Sequence, residues 1–229
     1  MNKLKGSSLR HLTFISLYGL AVILMFWHIG STKAVISFSQ HLSCIILGYY
    51  LGDLLSGITH LTLDNWPSAH LEPFLERVKD VGEIPQDIIR RSNFMEVYGL
   101  DFKLHHSNMA DITRAGFEEL FLRLLPGTAV YVMITSFLIV FFDRGFQWSY
   151  VVLVSSFSLL MTQYIHKWAH TSKAPLVVKV LQKLRIITPV KSHAKHHLDT
   201  RFNYCLINGW SNPLINGIMR VFYSLKNKP

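Results

Sequence analysis

The chain has 229 residues, of which half are hydrophobic and only 16% are charged, and its formal net charge is +9. An ordinary soluble domain carries about 25% charged residues. The composition, with a mean hydropathy of +0.27, therefore argues against a soluble globular protein and predicts an integral membrane protein.

Four apolar segments follow one another along the chain, at about residues 14–30, 34–59, 120–142 and 146–166. Each is long enough to span a bilayer, which takes about 20 mainly apolar residues, and the first is the shortest. Little polar sequence remains to cover four buried helices of a soluble protein. The first segment follows basic residues, but its apolar run is too long for a signal peptide. We therefore expect one all-α membrane domain over residues 1–229 with about four transmembrane helices.

The basic residues predict how these helices are oriented. If the N-terminus is cytoplasmic, Lys33 and Arg144 are the only two of the 23 Lys and Arg that face outside. This agrees with the positive-inside rule. It predicts a multi-pass protein with a histidine-rich cap of helices and loops on the cytoplasmic face. Anionic lipid headgroups are the expected partner of the charge. Nucleic acid is not expected, because no aromatic-interleaved basic run is present.

One stretch after the last apolar segment mixes basic and apolar residues at helical spacing. It runs from Leu176 to Ile187 and reads LVVKVLQKLRII. Such a helix can lie in the plane of the membrane surface with its apolar side in the lipid. A short ordinary surface helix is the alternative, and the sequence leaves both open.

Eight of the twelve histidines fall in four blocks on the predicted cytoplasmic side or at that membrane edge. Spacings of three and four residues place side chains on one helix face, whereas adjacent residues diverge by about 100° and can reach different metals. A lone histidine is more often structural, but eight in such blocks predict a metal site. His70, in the 61–104 loop, lies outside the blocks, and its role stays open. The blocks and their one carboxylate are His60 with Asp64, His105–His106, His166 with His170, and His193 with His196–His197.

The number of candidate ligands predicts two metal ions. Neutral imidazole suits zinc, copper, iron and nickel, and one zinc takes only three or four protein ligands. Iron is preferred because a redox metal beside lipid chains has an evident chemistry.

Asp53 lies inside the second apolar segment, where an ionisable residue is costly. It either accepts the free ring N–H of a ligating histidine or makes a hydrogen bond between packed helices.

Four stretches together resemble the Kua family of lipid desaturases, over roughly Asp53 to Leu214. The resemblance implies a membrane protein with a histidine-ligated di-iron centre. By motif, the eight histidines are the iron ligands, and Asp64 is a ligand or supports one. The stretches are DLLSGITHLTLDNW from Asp53, LHHSNMADITR from Leu104, QYIHKWAHT from Gln163, and HAKHHLDTRFNYCLINGWSNPL from His193.

The resemblance also implies a reaction. The family uses O2 and two electrons from a carrier such as cytochrome b5 or a ferredoxin, and it introduces a double bond into an alkyl or acyl chain of a phospholipid. Formation of a plasmenyl vinyl ether from a plasmanyl lipid is one such reaction. This chain departs from that branch at Ala115–Gly116 and at Asp199 to Arg201. These departures leave the substrate open.

Four basic residues are candidate contacts for a lipid phosphate: Arg114, Lys191, Lys195 and Arg201. Generic positive-inside charge is the alternative for each of them.

A di-iron lipid hydroxylase is the alternative enzyme. A metal-binding transporter is a further alternative, but its ligands would lie at the bilayer midplane. A zinc hydrolase would leave most of the histidines unused.

Overall fold

The structure is a computed structural model that describes residues 8–32, 37–66, 84, 86–142 and 145–226. This part of the chain is helical and contains no strand, which confirms the all-α prediction. Lys33, His70 and Arg144 lie outside the described residues. The described residues form ten helices: α1 Ser8–Ser31, α2 Phe38–Asp64, α3 Gln86–Arg91, α4 Phe94–Ser107, α5 Ala110–Arg114, α6 Phe117–Phe141, α7 Phe146–Ala169, α8 Leu176–Lys183, α9 Val190–Leu198 and α10 Asn212–Lys226.

Four of these helices are long and apolar enough to cross a membrane, namely α1, α2, α6 and α7. This confirms the predicted number of candidate spans. Two of the helices continue beyond the predicted apolar segments: α2 runs to Asp64 and α7 runs to Ala169. Helical backbone hydrogen bonds do not stop where the side chains become polar, so His60, Asp64 and His166 belong to the ends of candidate spans. The predicted start of the second segment, at residue 34, lies outside the described residues.

The first of two compact units contains residues 1–55 and 116–164. Helices α1 and α6 pack together here, and Ala21, Met25 and Val132 are fully buried in the core that they share with α7. Hydroxyl groups link the same helices: Tyr18 Oη lies 3.2 Å from Ser156 Oγ. Interhelical hydrogen bonds of this kind stabilise helix packing in lipid, where side chains have no water to bond.

The second unit contains residues 56–115 and 165–229. It includes the ends of α2 and α7 together with α3, α4, α5, α8, α9 and α10. Local signals set its helices. The N-terminus of α4 has a capping box, in which the Asn93 side chain accepts from Glu96 N–H and the Glu96 carboxylate accepts from Asn93 N–H. Pro213 lies in the first turn of α10, where its missing N–H is not needed. All the blocks of clustered histidines lie in this unit.

Candidate metal centre

The nine predicted metal ligands gather in the second unit as two groups of ligand atoms. Within each group the nitrogen and carboxylate oxygen atoms all lie within 4.8 Å of one another. One group contains only imidazoles, and the other combines three imidazoles with a carboxylate. The five-histidine group is His105, His166, His170, His193 and His197, and the Asp64 group is His60, Asp64, His106 and His196.

In the five-histidine group the Nε2 atoms point at one another. His193 Nε2 is 2.7 Å from both His166 Nε2 and His170 Nε2, and the latter two are 3.1 Å apart. His105 Nε2 lies 3.0 Å from His170 Nε2, and His197 Nε2 lies 3.0 Å from His193 Nε2. A neutral imidazole has one N–H and one lone pair, so the triangle of His166, His170 and His193 cannot be hydrogen-bonded along all its edges. A bound cation satisfies every inward lone pair at once.

Four histidines of this group, all outside the candidate spans, are held neutral. Burial and the neighbouring imidazoles lower the pKa of His170 to about 4 and of His197 to about 3. Burial, with His170 beside it, also lowers the pKa of His193 well below its ordinary value. The same causes lower the pKa of His105 to about 2. Neutral imidazole is the form that binds metal.

In the Asp64 group three imidazoles surround one carboxylate. His60 Nε2 and His196 Nε2 each lie 3.3 Å from Asp64 Oδ2, and His106 Nε2 lies 3.2 Å from Oδ1. The side chains of His60 and His196 are fully buried. These three histidines come from α2, α4 and α9, so the carboxylate at the end of α2 is the point on which three elements converge.

Backbone carbonyls determine which ring nitrogen faces Asp64. His60 Nδ1 donates to the carbonyl of Tyr204 at 2.9 Å, and His196 Nδ1 donates to that of Phe202 at 2.7 Å. With the proton on Nδ1, each Nε2 directs a lone pair at the carboxylate. Among the described residues, His60 Nε2, His196 Nε2 and Asp64 Oδ2 are buried side-chain atoms without a hydrogen-bond partner. Buried lone pairs facing one another are unfavourable, and a metal cation relieves this. The donor set therefore fits a metal ion.

The segment that supplies these carbonyls is itself held in place. Asn203 has a left-handed backbone conformation, with φ of 64°. Its N–H donates to Asn216 Oδ1 at 2.8 Å, and the Asn216 side chain donates back to Asn203 Oδ1. Cys205 N–H donates to Asn212 Oδ1 at 3.0 Å. Two amide side chains of α10 thus fix the stretch that orients two histidines of the Asp64 group.

All nine predicted metal ligands therefore lie in one unit, together with supporting groups that the sequence did not reveal. The carbonyl of Phe202 and the side chain of Asn216 carry no motif of their own, although both lie beside the histidine blocks. Asp53 is buried on α2, in the first unit, and its assistance to a ligand stays a prediction. The four candidate phosphate contacts are all exposed, and Arg201 is engaged by Asp199 through two hydrogen bonds of 2.8 and 2.9 Å.

Comparison with known proteins accounts for the conjunction of apolar helices and histidine groups. The family model of the lipid desaturase domain matches residues 49–227. The chain belongs to the lipid desaturase family. The resemblance inferred from the histidine blocks is thereby confirmed. All nine residues of the two groups lie within the matched range.

Relatives in the lipid desaturase family come from an animal, a bacterium and a plant. Plasmanylethanolamine desaturase 1 of Mus musculus is 30% identical over 76% of this chain and 60% of its own length. Plasmanylethanolamine desaturase of Myxococcus xanthus is 29% identical over 75% of this chain and 54% of its own length. The chloroplastic fatty acid desaturase 4 of Arabidopsis thaliana is 28% identical over 73% of this chain and 45% of its own length. The chain thus spans about half the length of the curated relatives it matches. No solved structure matches it.

Proposed function

We propose that the chain is an O2-dependent di-iron lipid desaturase, an oxidoreductase that introduces a double bond into an alkyl or acyl chain of a phospholipid. The observation that supports this most directly is the arrangement of nine buried or half-buried ligand atoms in two groups of metal-binding size. Membership of the lipid desaturase family supplies the class of substrate and reaction. One metal in each group accounts for every histidine of the four blocks.

Iron is the proposed metal for both groups. Imidazole and carboxylate donors suit iron, and the described part of the chain places no thiolate in either group. Bound iron supplies the oxidising power that an unactivated C–H bond requires. Overall, a CH2–CH2 pair loses two hydrogens and becomes CH=CH. One O2 takes up these two hydrogens, two electrons and two further protons, and two waters form. A cytochrome b5 or a ferredoxin is the proposed electron donor.

The chain's own residues keep the ligands neutral, oriented and dry. Burial and crowding keep His170, His193 and His197 unprotonated at neutral pH, because each has a lowered pKa. The carbonyls of Phe202 and Tyr204 hold the Nδ1 protons of His196 and His60, so that both Nε2 atoms remain available as ligands. His60 and His196 are 1% and 0% exposed, so water has little access to that group.

The proposed topology places the site at the membrane surface on the cytoplasmic side. The Asp64 group includes the last residues of one candidate span, and the five-histidine group includes His166 near the end of another. A lipid chain would reach the site from the bilayer, while its phosphate stays near exposed basic residues such as Arg114, Lys191 and Lys195. Arg201 is less suited to this role, because Asp199 already engages two of its guanidinium nitrogens.

The substrate class contains two candidates that the relatives' names suggest. Two relatives are named for plasmanylethanolamine and one for fatty acid desaturation. The departures at Ala115–Gly116 and Asp199 to Arg201 leave the choice between these two substrates open. Ala115 is buried, and its carbonyl accepts from Lys167 Nζ at 2.7 Å, so this position has a structural role here.

The test is expression in a host of defined lipid composition, with measurement of bound iron and of the phospholipid profile. His196→Ala is the test variant, and His11→Ala, outside both groups, is the matched control. We expect the unmodified chain to bind about two irons and to form a new double bond that requires O2. The His11→Ala control should keep this product, and His196→Ala should lose it. A hydroxylated product would instead indicate a hydroxylase. Two bound zincs without any oxidised lipid would contradict both oxidative functions.

A further inference from the structure

Helix α10 carries an apolar stripe that the rest of its unit leaves uncovered. One side of the helix is buried through Asn212, Ile215 and Met219. In a neighbouring stripe, each residue is between 48% and 60% exposed. At 100° per residue its five members fall within about 100° of arc. They are Leu214, Ile218, Val221, Phe222 and Leu225.

This helix does not have the length or the composition of a span. It has 15 residues, and the described part of the chain contains four candidate spans of which α10 is not one. Its polar side presents the exposed Arg220 and Ser224. A helix with one apolar stripe and a basic polar side is typical of those that lie in the plane of a membrane surface.

Its packing places α10 beside a candidate span. A Cβ added to Gly57 would lie 2.6 Å from Ile215 Cδ1, so the buried side of α10 is in close contact with α2 there. Gly57 belongs to the candidate span Phe38–Asp64 and lies two turns from its end. In the proposed topology this span ends at the membrane surface, so a helix packed two turns from its end would meet the boundary between the lipid chains and their headgroups.

The charge of this region matches an anionic surface. After Ile165 the chain contains eleven Lys and Arg and a single acid, Asp199, which is paired with Arg201. A second copy would present the same positive charge, so electrostatics disfavour self-association. Helix α8 has the same character, with Leu176, Val177 and Val180 exposed beside lysines and no acid.

We propose that the exposed stripe of α10 docks into the surface of an anionic lipid bilayer, so that α10 is an in-plane membrane anchor of the metal-binding unit. The same helix holds Asn203 and Cys205 through Asn216 and Asn212. The anchor therefore also fixes the level of the site relative to the membrane.

The test uses the full chain in nanodiscs and a thiol-reactive bimane probe at Ile218→Cys or, as matched control on the polar side of the same helix, Ser224→Cys. Native Cys44 and Cys205 are buried, so the unmodified chain gives the labelling background. Brominated phosphatidylcholine quenches probes in lipid, and iodide quenches probes in water. Discs with and without phosphatidylglycerol test the requirement for anionic lipid.

We expect bromolipid quenching at residue 218 to exceed that at residue 224 by at least about twofold, with iodide giving the reverse order. The difference should increase with phosphatidylglycerol. Val221→Cys, on the same stripe, should repeat the result if Ile218→Cys folds poorly. Equal quenching at the two faces would overturn the proposal. Thiol cross-linking between copies at residue 218, without bromolipid quenching, would also overturn it and identify a second copy as the occupant.

Discussion

His105 and His106 are adjacent on α4, yet their imidazoles belong to different groups. The ring centroids are 6.1 Å apart and the ring planes are inclined by 63°. His105 Nε2 lies against His170, whereas His106 Nε2 lies against Asp64. A single turn of α4 therefore contributes to both proposed metal sites and sets the spacing between them.

This separation predicts that alanine substitutions at the two neighbours differ in effect. His105→Ala leaves four histidines in its group, which is enough for one metal, whereas His106→Ala leaves three ligands in the Asp64 group. We expect His106→Ala to lower bound iron from about two toward one per chain, and His105→Ala to retain more. Metal analysis of the purified variants measures this, with His11→Ala as control. Equal loss from both variants would contradict the division.

Asp64→Asn should weaken metal binding in the Asp64 group without disturbing the fold. The amide keeps the shape of the side chain but removes the negative charge that three imidazoles face. Because even outer ligand supports contribute about 10- to 100-fold to metal affinity, we expect a loss of at least that size. Titration of the metal-free protein with Fe(II) measures it. Unchanged affinity would show that the carboxylate is not a ligand.

Asn216→Ala tests whether α10 positions the Asp64 group. The substitution removes the side-chain oxygen that accepts from Asn203 N–H and releases the segment whose carbonyls orient His60 and His196. We expect about a 10-fold loss of metal affinity in the Asp64 group, while the five-histidine group keeps its metal. Ser224→Ala, on the exposed side of α10, is the control. An equal loss from both groups would instead indicate general destabilisation.

The stability of the metal-free protein should fall as the pH is lowered through the range from about 6.5 to 4. Unfolded histidine has a pKa of about 6.5, whereas folding lowers the pKa of His170 to about 4 and of His197 to about 3. In that range the unfolded chain binds protons that the native chain excludes, so acid favours unfolding. Thermal unfolding in detergent from pH 8 to 4.5 measures the effect. A constant Tm between pH 7 and 5 would contradict it.

Alanine substitutions at two glycines should change the stability of the chain in opposite directions. A Cβ at Gly57 would lie 2.6 Å from both Cys205 Sγ and Ile215 Cδ1, so Gly57→Ala should destabilise the chain by about 1–3 kcal/mol. At Gly217, in α10, nothing lies within 4 Å, and alanine there should stabilise the helix by up to about 1 kcal/mol. Thermal unfolding of the two variants compares them. If both variants are destabilised, the crowding of Gly57 against Cys205 and Ile215 does not explain the difference expected between the two positions.

The helical class and the number of candidate spans followed from the hydrophobic runs. A helix that crosses a bilayer needs about 20 apolar residues, and a run of that length is visible in the sequence. The ends of the helices did not follow. Helix α2 continues through His60 to Asp64 and α7 through His166 to Ala169, because the backbone keeps its hydrogen bonds where hydropathy falls. The membrane side on which these ends lie stays a prediction.

The gathering of the histidines into two sites, and the divergence of adjacent histidines, could be expected from their blocks, but which site each histidine joins could not. His193 and His197, four residues apart on α9, face the five-histidine group, whereas His196 faces Asp64. That outcome depends on the rotation of α9 relative to α4 and on tertiary packing. The support of His60 by a carbonyl of residue 204 was equally hidden, since every residue has a carbonyl. The roles of all these residues as ligands stay predictions.

The use of main-chain carbonyls to hold His60 and His196 also bears on how the chain can diverge. A substitution at residue 202 or 204 changes the side chain but leaves the acceptor oxygen in place. The hydrogen bonds to the two imidazoles are therefore kept when the side chain at residue 202 or 204 changes, whereas a carboxylate in that role could be lost in one step. Side chains in this stretch can therefore change over evolution while the carbonyl acceptors of the two candidate metal ligands are retained.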